Sequence, residues 1–135
     1  MTHTLIIAES ELELIPNELR KHPIVMARAR RTEKDPSKMI LQSTDLHKAM
    51  LEAKLPEAEG RGRPDIIHLA LTLAADSPAF QEGSLEIALH LRGDKIVRIA
   101  PGTRLPKEYS RFLGLMEQLL STGSTPLLKI ENGTL

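Results

Sequence analysis

Four consecutive apolar residues, Leu5-Ile6-Ile7-Ala8, stand between polar neighbours. An unbroken apolar run of this length is the pattern of a strand buried on both faces, as in a parallel sheet covered by helices. Farther along, Leu85–Leu91 and Lys95–Ile99 alternate apolar and polar residues around Arg92-Gly93-Asp94. That is the signature of an antiparallel hairpin with glycine in its turn. The expected fold class is therefore α/β: a mainly parallel sheet flanked by helices, with an antiparallel hairpin insertion from about Leu85 to Ile99.

The intervening segments supply the helices. Ser43 and Thr44 precede Asp45–Glu52, which has an acid in its first turn and apolar residues at 46, 49 and 50, so a helix capped by these hydroxyls is expected. A second helix is expected over Pro64–Ala75, proline being tolerated in a first turn. At about 100° per residue its apolar residues cover most of the circumference. Asp65, His68, Thr72 and Asp76 share one narrow stripe, so the reading is a mostly buried helix with a polar seam. Asp76-Ser77-Pro78 should end it in a loop. A last helix should span about Lys107–Leu120, and Leu127–Ile130 should start a strand. Glu11–Leu19 is interrupted by Pro16. Arg20–Lys38, with seven basic residues against Glu33 and Asp35, holds Pro23 and Pro36 and reads as an irregular basic arm.

Composition narrows the chemistry. A chain of 135 residues fits one domain over 1–135 with a real core. With no cysteine there is neither a disulfide framework nor a catalytic thiol, which suits a reducing, cytoplasmic compartment. The apolar stretches fall short of the roughly 18 residues of a membrane span, and no targeting peptide is legible at the start. The five histidines lie far apart without helical i, i+4 spacing, so no metal site is expected. His68, on a mainly apolar helix, reads as a hydrogen-bonded structural histidine. Gly60 and Gly62 begin a dinucleotide fingerprint, but Asp65 occupies the third glycine position. No serine elbow occurs, and Glu9, Glu11 and Glu13 read as a solvated acidic segment. Formal charges cancel at 18 against 18, so a nucleic-acid partner would depend on where the arginines sit.

Two segments stand out. In Gly60-Arg61-Gly62-Arg63-Pro64-Asp65 the glycines allow close approach, the arginines can clamp a phosphate, and a helix begins at once. Equally, Asp65 could complement the helix dipole while the arginines face solvent. In Thr103-Arg104-Leu105-Pro106-Lys107, followed by Arg111, cations precede and line the exposed face of the last helix, with Gly114 continuing that face. A solvated face would explain them too, unless they converge with Arg63.

With LIIAESELELIP (5–16), RGRPDIIH (61–68), Asp76-Ser77-Pro78 and TRLPKEYSRFLGLMEQL (103–119), the chain resembles the nucleolar-essential-protein family of small-subunit rRNA pseudouridine methyltransferases, in the knotted SPOUT superfamily. The resemblance implies methyl transfer from S-adenosylmethionine to N1 of a pseudouridine flipped from an rRNA hairpin, by a cytoplasmic homodimer with no membrane partner. It implies that Arg63 and Asp65 lie near the target nucleoside, with Asp65 the catalytic candidate, and that Arg104, Lys107 and Arg111 hold RNA phosphates. Arg61 joins Arg63 among the expected RNA-binding residues. Lys107 is commonly arginine in relatives, so a point-charge contact is expected there. The family binds the methyl donor in a C-terminal trefoil knot. The chain ends near Leu135, before any glycine-rich segment of that kind, so no residue of this chain is expected to bind the cofactor. The expectation is the RNA-recognition and dimerisation part of such an enzyme. A non-catalytic RNA-binding or ribosome-assembly module and a bare dimerisation domain are the alternatives.

Overall fold

The structure is a computed structural model that describes residues 3–133, so Leu135 and the outermost residues of the expected 1–135 domain lie outside the described residues. Strand β1 (His3–Ser10) is followed by α1 (Pro23–Thr32), α2 (Ser43–Glu52), α3 (Pro64–Ala75), the short α4 (Pro78–Gln81), β2 (Leu85–Leu91), β3 (Lys95–Ile99), α5 (Tyr109–Thr122) and β4 (Ile130–Asn132). The strands form one open sheet in the order β1-β2-β3-β4.

Helices flank the sheet as the α/β reading requires, and β2 and β3 form the antiparallel hairpin in the expected place. Gly93 (φ 85°) and Asp94 (φ 54°) supply the positive φ angles of its turn. Parallel pairing is confined to β1 and β2, which run from His3↔Leu85 to Ile7↔Leu89. Strand β4 joins β3 antiparallel, so the sheet is mixed rather than mainly parallel. β1 is an edge strand, which leaves Leu5 at 40% and Ile6 at 50% exposure. An apolar run reports suitability for burial and cannot report which neighbours are present.

The basic arm is corrected in the same way. Pro23 sits in the first turn of α1, where its missing N–H costs nothing. His22 Nδ1 accepts from the Ile24 N–H at 3.2 Å. Val25 and Ala29, four residues apart, bury against α2 through Leu46, Ala49 and Met50 in a core of their own. A larger core joins the sheet to Ile67 and Leu71 of α3, to Phe80, and to Phe112, Met116 and Leu119 of α5. The expected loop after Asp76 contains α4, whose cap Ser77 accepts from the Phe80 N–H. The expected strand at Leu127 begins at Ile130.

Helix α3 has the expected bounds but a different burial. Pro64, Ile67 and Leu71 are buried, whereas Ile66, Leu69 and Leu73 are 50%, 61% and 67% exposed. One face packs into the core with the sheet, and the opposite apolar row is mostly exposed. Helix α2 also starts differently, because Ser43 is already helical and Gln42 takes the cap position without a side-chain bond. The Ser43 N–H donates instead to the Gly62 carbonyl at 2.7 Å. Gly62 has φ 75°, and a Cβ there would lie 2.8 Å from the Ser43 nitrogen. Glycine is required at this point by both conformation and space.

Candidate nucleic-acid interface

The 60–65 loop holds two arginines with opposite fates. Arg61 is buried. Its Nε and Nη2 donate to the two carboxylate oxygens of Glu13 at 2.9 and 2.6 Å, and its Nη1 donates to the Pro56 carbonyl at 3.0 Å. Hydrogen bonding to Glu13 raises its pKa further, against the opposing effect of burial. Arg92, in the hairpin turn, adds bonds to Glu11 and Glu57. The expected solvated acidic segment is therefore corrected at Glu11 and Glu13: both are largely shielded inside a network that ties the segment after β1, the 57–61 loop and the hairpin turn together. The side chain of Glu9 lies outside the described residues.

Arg63 faces outward, at the cap of α3. Its Nε and Nη2 form a two-pronged pair with Asp65, both bonds at 3.0 Å, with each side chain about two-fifths exposed. The Arg63 hydrogen bond, and then its charge, hold the Asp65 carboxyl below the usual carboxylate range against the effect of burial. Asp65 is thus ionised at neutral pH and is a poor resting proton acceptor.

The polar stripe of α3 is where the second basic segment docks. His68 Nε2 donates to the Pro106 carbonyl at 3.3 Å, and the His68 ring packs 5.5 Å from Tyr109 and 4.7 Å from Phe112, centroid to centroid. Asp76 meets Lys107 Nζ at 3.3 Å. Tyr109 reaches back to Gln42, donating its hydroxyl proton to Oε1 at 3.2 Å. Burial raises the Tyr109 phenol, and the negative charge of Asp65 raises it further, opposed by Arg28 and Arg63. These contacts lay the segment before α5 along α3, with Lys107 at the C-terminal end of α3 beside Asp76 and Tyr109, at the start of α5, toward Asp65 and Arg63 at the start of α3.

The cations of the 104–111 segment are accessible. Lys107 and Arg111 are more than three-quarters exposed, the latter only 3.5 Å from Glu108. Such exposed pairs contribute little and give way readily to a better anion. Arg104 is exposed and has no ion pair among the described residues. Arg61 does not join this group. Residue types did not single out Gln42, Tyr109 or Arg28. The spacing of Val25 and Ala29 with Arg28 between them would have placed Arg28 on a helix, while the Gln42–Tyr109 contact spans 67 positions and leaves no local signal.

No group of three or more metal-ligating side chains occurs among the described residues. A nucleoside-bearing cofactor needs close backbone approach. Gly60, Gly83, Gly93, Gly102, Gly114 and Gly123 have open space where a Cβ would sit, and Gly62 packs on this chain's own backbone. A cavity of about 820 Å³ is lined by Glu11, Glu57, Glu59 and Asp94 beside Arg92. Its carboxylates would repel the carboxylate of S-adenosylmethionine, and Arg92 in the lining is already paired with Glu11 and Glu57, so this cavity does not fit that cofactor.

Comparison with known proteins fits this geometry. The family model described as EMG1/NEP1 methyltransferase matches residues 5–134. The protein named ribosomal RNA small subunit methyltransferase Nep1 from Thermococcus kodakarensis is 50% identical over 131 residues, covering 94% of this chain and 59% of that protein. Its namesake from Thermococcus sibiricus is 47% identical over 135 residues, covering 97% and 60%. The crystal structure of Archaeoglobus fulgidus Nep1 bound to S-adenosylhomocysteine superposes with a TM-score of 0.88 at 38% identity, covering 99% of this chain and 62% of that one. The chain thus spans about three-fifths of the length of these relatives. A match across nearly every residue, on an architecture shared with a solved relative, means that this chain belongs to the EMG1/NEP1 methyltransferase family.

Proposed function

We propose that this chain carries the target-RNA-binding and dimer-forming part of an S-adenosylmethionine-dependent small-subunit rRNA methyltransferase whose target is N1 of a pseudouridine flipped from a hairpin. The observation that carries the reading is the junction of α3 with the 104–111 segment, through His68–Pro106 and Lys107–Asp76. On this reading Arg63 at the start of α3, and Arg104, Lys107 and Arg111 around the start of α5, serve as successive phosphate contacts along one strand. Relatives named as small-subunit rRNA methyltransferases and a neighbour that binds S-adenosylhomocysteine support the substrate and the cofactor. The donor would be held by the part of the relatives' length that this chain does not match.

On this reading Lys107 and Arg111 exchange weak surface pairs for phosphates, and Arg63 leaves Asp65 to hold the extruded nucleotide, as base flipping requires. Asp65 then orients the base edge. Losing Arg63 as its partner lets its pKa rise, which makes it a better acceptor for the N1 proton only once RNA is bound. Arg61 serves as a strut behind the loop rather than as a phosphate ligand.

The test is titration of a small-subunit rRNA hairpin with the chain and with the triple variant Arg63→Ala, Arg104→Ala, Arg111→Ala. A large loss of affinity is expected, with a salt dependence shallower by about 0.7–0.9 per lost phosphate contact. Unchanged binding would refute the reading and favour a dimerisation domain. Calorimetry should detect no S-adenosylmethionine binding to this chain. Strong binding of the hairpin without preference for pseudouridine over uridine would favour the RNA-assembly module.

A further inference from the structure

A cavity of about 120 Å³ lies between α1 and α5, lined by Arg28, Thr32, Lys34, Gln42, Ser110 and Glu117 among others. Gln42 is nine-tenths buried. Its Oε1 is occupied by the Tyr109 hydroxyl, which fixes the orientation of the carboxamide. Its two Nε2 N–H donors have no partner among the described residues and remain solvent-accessible at the cavity. Arg28 is paired through Nη1 with Asp45 and is only about one-fifth exposed. The Arg28 Nε and Nη2 donors have no partner among the described residues. Burial, and then the neighbouring charge of Arg31, lower the Arg28 pKa, opposed by the charge of Glu117.

The carboxylate lining the cavity is engaged through both oxygens. Glu117 Oε1 accepts from Lys34 Nζ at 2.8 Å and Oε2 from the Ile40 N–H at 2.9 Å. Several times the roughly 30 Å³ of a liquid water is available, which is room for one tetrahedral oxyanion. Gln42 links the cavity to Tyr109, whose phenol feels the charges of Asp65, Arg28 and Arg63.

We propose that this cavity is a second phosphate site, in which Arg28 and Gln42 hold a phosphodiester of the RNA strand next to the nucleotide gripped by Arg63. The proposal rests on the RNA-binding reading above and extends the interface from the α3–α5 wall onto α1. A neutral carboxamide beside a guanidinium supplies direction as well as charge, so the site fixes the path of the strand instead of merely attracting it.

The test compares hairpin binding by the unmodified chain, Arg28→Ala, Gln42→Met and Arg104→Ala, each checked for native circular dichroism. Arg28→Ala should weaken binding about tenfold, as expected for a lost charge-assisted bond, and make the salt slope shallower by about 0.7–0.9. Gln42→Met should weaken it severalfold without changing the slope, because a neutral amide releases no counterion. Methylphosphonate substitution along the hairpin should then reveal one position whose neutralisation weakens binding to the unmodified chain but not to Arg28→Ala. That scan stays decisive even if a variant is poorly folded, because a flat profile with the unmodified chain alone would overturn the proposal. If Arg104→Ala weakens binding while Arg28→Ala and Gln42→Met do not, the second site is refuted and the wall stands. If Arg104→Ala has no effect, the RNA-binding reading falls and the second site with it.

Discussion

Replacing Arg61 separates a strut from a phosphate ligand. Its guanidinium makes two charge-assisted bonds to Glu13, with side-chain exposures of only 10% and 15%. Removing one partner of a buried pair typically costs about 3–5 kcal/mol, because the other charge stays desolvated. Here Arg92 Nε lies 3.6 Å from Glu13 and can take over part of the role, so about 2–4 kcal/mol is expected for Arg61→Ala. Against a total stability of about 5–15 kcal/mol, that loss lowers Tm by on the order of 10 °C. Urea unfolding of the chain measures it. The double variant Glu13→Leu, Arg61→Met, which leaves no orphaned charge, should recover most of the loss. In hairpin titrations well below Tm the double variant should bind with nearly the native salt slope. Unchanged stability for Arg61→Ala, combined with a slope shallower by about one in both variants, would refute the assignment and return Arg61 to the RNA-contacting group.

Two further substitutions probe how the wall is held. Gly62→Ala should destabilise the chain by about 1–3 kcal/mol in urea unfolding, because φ is 75° and the new Cβ would press on the Ser43 nitrogen; a neutral result would mean that the contact to α2 is dispensable. His68→Leu keeps the packing on Phe112 but drops the bond to the Pro106 carbonyl. Stability should fall by only about 0.5–1.5 kcal/mol while hairpin affinity falls severalfold, and affinity equal to the unmodified chain would show that the 104–107 segment holds its place without this tether.

Much of the fold was legible because its signals are local. Alternation around Arg92-Gly93-Asp94 gave the hairpin, and Pro64 with the apolar periodicity gave the bounds of α3. The α1 helix was hidden by Pro23, whose usual meaning as a breaker reverses in a first turn. Side-chain fates depending on distant partners were not legible. Arg61 and Arg63 are two positions apart in one motif, yet Glu13, 48 positions away, draws the first inward, while Asp65 keeps the second at the surface. The polar stripe Asp65-His68-Thr72-Asp76 was readable as a seam, and what it receives became clear only with Pro106 and Lys107 set against it.

The proposed interface requires the starts of α3 and α5 to share one wall, and the chain carries its own probe of that. It has one tyrosine and no tryptophan, so the ultraviolet absorbance of Tyr109 reports the ionisation of a single phenol. Burial and the negative charge of Asp65 raise its pKa, which predicts a midpoint above the usual value of about 10. Asp65→Asn removes a charge that disfavours the phenolate and frees the positive Arg63, so the midpoint should fall while circular dichroism stays native. Identical midpoints in the two proteins would contradict the shared wall.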